Sequence, residues 1–261
     1  MFRSLHTAAT GMAAQEAQLD AVSNNLANAN TVGYKKSRAD FQDLYYQTLR
    51  GAGTPTSGTT QSPTGLQVGS GVRLASTTRL YGQGSVRPTN NPLDLAIEGN
   101  GFFVVQQPDG QPAYTRAGTF KQDNQGRLVT GDGMPLEPPI TIPPDATGVT
   151  IGADGIVSAT QKGQAAPTQL GTIQLAHFVN PAGLAAVGHN LLVPTAASGE
   201  AQIGAPGADG RGSLLQGSLE HANVEMVEEM IQLIGAQRAY EINTKVVTAA
   251  DEMLRSATQL R

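Results

Sequence analysis

The two ends of the chain carry helical spacing, and the middle carries strand spacing. Near the start, Leu5, Ala8, Met12, Gln15, Leu19, Val22 and Leu26 are separated alternately by three and four residues, which predicts one long amphipathic helix. Its large apolar members, Leu5, Met12, Leu19 and Leu26, alternate with small, polar or medium side chains, so the seam needs bulk from a partner. The Asn-rich run Ser23 to Asn30, followed by Gly33, predicts that this helix stops between Asn28 and Gly33, because Asn competes for backbone hydrogen bonds and tolerates left-handed geometry. At the other end Val224, Val227, Ile231, Gly235, Ala239, Ile242, Val246, Ala249, Met253, Ala257 and Leu260 recur with a mean step of about 3.6 residues, the turn of an α-helix. Asn223 is expected to be the N-cap, with Glu225, Glu228 and Glu229 favoured near the positive end of the helix dipole.

Between the helices the period drops to two. Gly101 to Gln106, Pro112 to Arg116, Arg127 to Thr130, Val149 to Ile151, Ile156 to Ser158, Thr172 to Ala176 and Asn190 to Val193 read as short strands. Asp-Gly pairs at Asp109, Asp132 and Asp154, with the turn Asp123 to Gly126, separate them as hairpin signals, so an all-β domain is expected over residues 85–195. Phe41, Leu44, Tyr45 and Leu49 suit a short amphipathic turn or an extended arm. Residues 51–65 are almost all Gly, Pro, Ser or Thr and read as a flexible linker. The fold class expected is α+β multidomain: long N- and C-terminal helices (1–34 and 218–261) paired in a coiled-coil-like tube domain, extended connectors (35–84 and 196–217), and a central all-β domain. A helix pair with half of each helix exposed is marginal alone, so the chain reads as a subunit that completes its fold by packing against copies of itself.

Composition narrows the function. The 261 residues hold 17 basic and 21 acidic side chains for a net charge of −4, with no basic run longer than Lys35-Lys36, which argues against a nucleic-acid partner. With no Cys there is no disulfide or thiolate metal site, and the chain is indifferent to an oxidising compartment. Aromatic content of 5% and 31 Gly suggest many turns and thin cores. The first residues lack the apolar run of a cleaved secretory signal, and no stretch is apolar enough to span a membrane, so export is expected to use another route. No nucleophile elbow, P-loop, zincin helix or EF-hand loop is present, and His6, His177, His189 and His221 lack ligand spacing. The acidic residues of the middle mostly sit in turns, where the carboxylate serves the backbone. No catalytic residue, cofactor site or metal site is expected.

Ser23-Asn-Asn-Leu-Ala-Asn-Ala-Asn-Thr-Val-Gly-Tyr-Lys35 resembles the N-terminal motif of bacterial flagellar axial proteins, the rod and hook subunits; its family-motif residues are Asn24, Asn25, Leu26, Ala27, Asn28 and Gly33. Asn91 to Val105, Tyr114 to Phe120 and Gly126 to Gly133 resemble the β-domain of that family, and Asn223 to Ile234 with Gln237 to Lys245 resemble its C-terminal helix. The single β-domain and the segment Tyr45 to Arg50 leading to Gly65 to Arg73 are most similar to distal rod members; hook and proximal-rod subunits are the alternatives within the family. The resemblance implies a straight, stiff, hollow helical homopolymer in the periplasmic rod of the basal body, transmitting motor torque and enclosing the export channel. It implies contacts with proximal rod subunits, the hook protein, the surrounding rings and the flagellar type III export apparatus, and an ordered, bridging role for residues 46–70. The expected packing residues are Leu5, Met12, Leu19, Leu26, Val227, Ile231, Ile242, Val246, Met253 and Leu260. A cell-wall-acting enzyme and a secreted adhesive module are the competing classes.

Overall fold

The computed structural model describes residues 2–54, 62–162 and 166–259. The fold is α+β, with a helix at each end of the chain and a largely β middle. It divides into two compact units, one of Met1–Ala27, Ser37–Thr78 and Glu225–Arg261, the other of Asn28–Lys36 and Arg79–Val224.

The first unit holds helix α1 (Phe2–Ala27), helix α2 (Met226–Gln259) and four strands. The helices pair antiparallel: Asn25 near the end of α1 bonds Glu229 near the start of α2, and the Met12 sulfur lies 3.7 Å from the Thr244 hydroxyl. The contact is close because small residues meet there. Ala8 and Ala14 are buried on α1 and Ala236 and Ala250 on α2, and a Cβ added at Gly11 would lie 3.0 Å from the Asn243 side chain. α1 stops at Ala27, one residue before the expected range, and turns follow through Gly33.

Strands β1 (Ser37–Asp43), β2 (Gln47–Arg50), β3 (Leu66–Val68) and β4 (Val72–Arg79) form a two-stranded ribbon, with β1 beside β4 and β2 antiparallel to β3. Between them the Leu44 amide donates to the Gly71 carbonyl. The 41–49 segment is thus the extended arm, and the expected linker is paired where it begins and ends; residues 55–61 of it lie outside the described residues. Composition missed the pairing because the ladder uses backbone groups, which Gly, Ser and Thr supply as well as any residue.

The second unit holds β5 (Val86–Pro88), β6 (Leu95–Glu98), β7 (Phe102–Gln106), β8 (Pro112–Thr115), β9 (Lys121–Gln122), β10 (Leu128–Val129), β11 (Ala146–Ile151), β12 (Ile156–Gln161) and β13 (Thr168–Thr172). It continues with β14 (Leu175–His177), β15 (Ala185–Gly188), β16 (Leu191–Val193), β17 (Gln202–Gly204), β18 (Ser213–Gln216) and β19 (Ser218–Glu220). Its main sheet runs β15-β16-β8-β7-β14-β17. β7 explains the uninterrupted Phe102-Phe-Val-Val105 run, because both of its faces are buried. Phe103 and Val105 join Leu95, Ile97, Phe120, Leu128 and Leu175 on one side, while Phe102 and Val104 join Tyr114, Phe178 and Leu192 on the other. The core is broader than the low aromatic content suggests, since Ile, Leu and Val carry most of it. Aromatic pairs fix its centre, Phe103 with Phe120 at 5.1 Å and Tyr114 with Phe178 at 4.8 Å, both edge to face.

The turn aspartates serve the backbone as their Asp-Gly context predicts. Asp109, Asp123 and Asp154 each accept an amide two residues on, and Asp123 also accepts the Arg127 amide and guanidinium. Residues 196–217, expected to be a connector, instead return strands to the body. β17 extends the main sheet beside β14, and β18 pairs with β6, placing Leu214 opposite Ile97. Their partners lie about 30 to 120 residues earlier, a separation that no local pattern encodes.

Candidate assembly surfaces and the motif nodes

The apolar stripe of α2 expected to pack within and between subunits is bare in the single chain. Val227, Ile231 and Ile242 are 72, 65 and 60% exposed, and Val246 and Met253 are exposed too. The positions that α2 buries or half-buries are Glu229, Leu233, Ala236, Ala239, Asn243, Val247, Ala250 and Leu254, spaced by threes and fours, as a helix–helix seam requires. α2 therefore has two apolar faces. Ranking positions by side-chain size selects the outer one, whereas close approach to α1 favours the inner one, lined by small residues. On α1 the large positions Leu5, Met12, Leu19 and Leu26 are half-buried beside fully buried Ala8 and Val22. Leu260 lies outside the described residues. The ribbon adds a second exposed apolar surface: Tyr45 is 86% exposed, and Phe41, Tyr46, Leu49, Leu66 and Leu74 are exposed as well. Such a ribbon has no core of its own, and two-stranded hairpins are marginal in water without packing.

The Asn-rich motif serves two nodes, one in each unit. In the first, Asn25 is 2% exposed and acts as a piece of backbone: its Nδ2 donates to the Ser37 carbonyl and its Oδ1 accepts the Ser37 amide. The same Nδ2 donates to Glu229 Oε2 at 3.1 Å, so one side chain ties together the end of α1, the start of β1 and the start of α2. Asn24 and Ala27 are exposed neighbours, and Leu26 is half-buried. Further along the ribbon the Thr78 hydroxyl, then Arg38 and Ser76, hold the Asp40 carboxyl below its usual range. The ribbon also meets α1 at Gly71, whose φ of +115° and contact with the Thr10 hydroxyl leave no place for a Cβ.

The second unit uses the rest of the motif. The Asn28 carbonyl accepts the Thr31 amide and starts a turn that ends at Gly33. Gly33 has φ +71°, and its amide donates to the Glu220 carbonyl; a Cβ there would lie 2.6 Å from the Ala117 nitrogen. The turn delivers Lys35 to a buried ion cluster. Lys35 Nζ lies 2.7 Å from Glu220 Oε1, Arg116 Nε binds Glu220 Oε2, and the Gly84 amide donates to the same carboxylate. Arg116 also donates to the carbonyls of Ile97, Gly99 and Gly101, and Lys35 donates to that of Gly82. All three side chains are at least nine-tenths buried. Burial alone would push the Glu220 carboxyl up, but Arg116 and Lys35 more than offset it and hold it below its ordinary value; burial draws the Lys35 ammonium down.

Asn223, expected as a helix cap, belongs here instead. Its Oδ1 accepts the Lys36 amide and its Nδ2 donates to the carbonyls of Leu80 and Gly82, while α2 begins at Met226 and its Glu229 amide donates to the Glu225 carbonyl. Sequence reasoning passed over the ion cluster because its members are 81 and 104 residues apart and each is ordinary in its own surroundings. The one available signal was the presence of Lys35 and Arg116 inside recognisable motifs. Among the described residues no group of His, Cys, Asp or Glu is placed to hold a metal ion, and no helix is long and apolar enough to cross a membrane.

Residues 5–35 match a family described as flagella basal body rod protein, residues 96–159 the flagellar hook protein FlgE/F/G D1 domain, and residues 215–260 the flagellar basal body rod FlgEFG protein C-terminal region. The chain is 50% identical over 260 residues to the flagellar basal-body rod protein FlgG of Caulobacter vibrioides, covering 99% of each chain. It is 48% identical over 263 residues to the protein of the same name from Borreliella burgdorferi, covering 100% of this chain and 99% of the other. The Bacillus subtilis counterpart is 38% identical over 266 residues, covering both chains in full.

Proposed function

Since the chain belongs to the flagellar basal-body rod protein family, as a structural subunit of the distal rod, we propose that it works by polymerising through the surfaces it leaves bare. The observation that carries this reading is the outer stripe of α2, where Val227, Ile231, Ile242, Val246 and Met253 are exposed in the single chain. Covering five such side chains is worth roughly 10 kcal/mol at about 2 kcal/mol each, against an association cost of about 4–15 kcal/mol. One such contact is marginal, so a stable rod needs each subunit to be held by several neighbours at once, which a helical lattice supplies.

In this reading the terminal helices of many copies build the coiled-coil-like wall of a hollow tube, with Leu5, Met12, Leu19 and Leu26 completing the wall. The ribbon, with its exposed Tyr45 and Leu49, bridges neighbouring subunits and stiffens the tube. Torque passes along the rod because interlocked helices cannot rotate independently, and no catalysed step is needed. The polymer occupies the periplasmic rod, meets the proximal rod subunits, the hook protein and the surrounding rings, and encloses the channel of the type III export apparatus. Ile231→Asp and Ile242→Asp test it. Both variants are expected to keep the monomer's circular dichroism and melting temperature while losing polymer in sedimentation and electron micrographs, and to abolish swimming. Wild-type polymer yield from either variant would refute the stripe as the subunit contact.

A further inference from the structure

The second unit contains a cavity of about 220 Å³ that the ion cluster only partly explains. Lys35 and Arg116 line it; Glu220 does not, so the cavity faces two cations whose shared carboxylate lies behind them. Both cations are nine-tenths or more buried. Each has hydrogen-bonding capacity to spare. Lys35 uses two of its three N–H groups, on Gly82 and Glu220, and Arg116 four of its five, on Glu220, Gly101, Ile97 and Gly99. Tyr81 also lines the cavity; its hydroxyl oxygen is buried near the Arg79 guanidinium, which can only donate, and its own proton finds no acceptor among the described residues. The remaining walls are aromatic: Phe102 stands edge to face with both Tyr81, at 5.5 Å, and Phe178, at 5.9 Å. Asn100 and half-buried His177 complete the polar side.

A structural role accounts for Glu220 and for the carbonyls around Arg116. It accounts neither for the second, uncompensated positive charge nor for the unmet Tyr81 proton, both of which cost free energy in a buried setting. We propose that this cavity binds a carboxylate carried on a small flat apolar body. The carboxylate oxygens accept the spare N–H groups of Lys35 and Arg116 and the O–H of Tyr81, and the apolar body lies against the touching rings of Phe102 and Phe178. A volume of about seven waters has room for a ring of benzoate size but not for a nucleotide.

Sodium benzoate is the probe, titrated into the full-length monomer at constant ionic strength and followed by the backbone amide NMR signals of Gly101, Phe102 and Val179. Saturable shifts with a Kd of about 1 mM are expected for about nine heavy atoms. Neutral benzamide should bind at least 10-fold more weakly, because the charge-assisted bonds are lost. Tyr81→Phe keeps the ring and removes only the unmet donor, so it should raise the melting temperature slightly and still weaken benzoate roughly 10-fold. Shifts that stay linear far beyond the expected Kd, benzamide binding equal to benzoate binding, or a Tyr81→Phe variant with wild-type affinity would each overturn the site. The natural carboxylate is assigned to a free small molecule, so polymerisation of the same variant should be unchanged; polymerisation slowed in step with benzoate affinity would instead give the cavity to an Asp or Glu of a second copy and overturn the small flat ligand. Because the titration uses monomer, its outcome is independent of whether the α2 stripe is the subunit contact.

Discussion

Replacing Glu220 by glutamine removes the one negative charge that two buried cations share. In the wild type the side chains of Lys35, Arg116 and Glu220 are 3, 6 and 1% exposed, so neither cation can turn to water when its partner is neutralised. The substituted amide would offer one acceptor oxygen in place of two and would point an NH2 group at a cation, leaving either Lys35 or Arg116 facing a donor. Breaking a buried pair from one side costs about 3–5 kcal/mol. At about 2–4 °C per kcal/mol for a domain of this size, the loss is a melting temperature lower by roughly 6–20 °C. Near-ultraviolet circular dichroism is the suitable probe, since the packed pairs Tyr114 with Phe178 and Tyr81 with Phe102 report the second unit directly. The pH dependence has a definite sign. Glu220 has a folded pKa below its unfolded one, so its contribution is fully present above the ordinary carboxylate pKa of about 4.3 and fades as pH falls through the folded value. The gap between wild type and variant should therefore be constant near neutrality and close on acidification. Adding Lys35→Met to Glu220→Gln should recover part of the loss by removing one stranded cation. A loss below about 1 kcal/mol at pH 7, or a gap that widens in acid, would refute the buried ion cluster as a stabilising node.

Three further substitutions test particular contacts. Gly33→Ala forces a Cβ to 2.6 Å from the Ala117 nitrogen at a positive φ, and should cost about 2 kcal/mol or more in urea unfolding; a midpoint shift under half of that would show that the turn can move. Asn25→Leu strands the Ser37 amide and carbonyl and should cost about 2–3 kcal/mol, with faster hydrogen exchange at Ser37 as its local signature; unchanged exchange there would count against the backbone-like role of Asn25. Phe120→Ala opens a hole beside Phe103 in the larger core cluster and should destabilise by about 3–5 kcal/mol in thermal melts, with assembly of surviving monomer unaffected at low temperature.

How far the sequence reaches depends on the distance over which each feature is specified. Both helices, the strands β7, β8, β11, β12 and β16, and the turn roles of Asp109, Asp123 and Asp154 follow from residues within a few positions of one another, because helical period, strand alternation and Asx-type turns are local rules. The Asn-rich motif was legible as a motif. That Asn25 mimics a strand neighbour of Ser37, while Gly33 avoids a clash with Ala117, is visible only when distant segments are placed together.

The face of α2 that meets α1 shows the limit most clearly. Sequence presents two apolar stripes on one helix, and the choice between them depends on how closely the partner backbone comes, which is set by Gly11, Ala8 and Ala14 on the other helix. Close approach selected the face of Ala236 and Ala250 and left Ile231 and Ile242 bare. In the same way β17 and β18 and the Lys35, Arg116 and Glu220 cluster are products of pairing across long separations, where the chain brings together groups that are ordinary one at a time. The sequence by itself determined the two helices, the locally patterned strands and the class of protein; tertiary structure alone decided the long-range strands and which surfaces each element spends on its own chain, because burial is a property of what lies opposite.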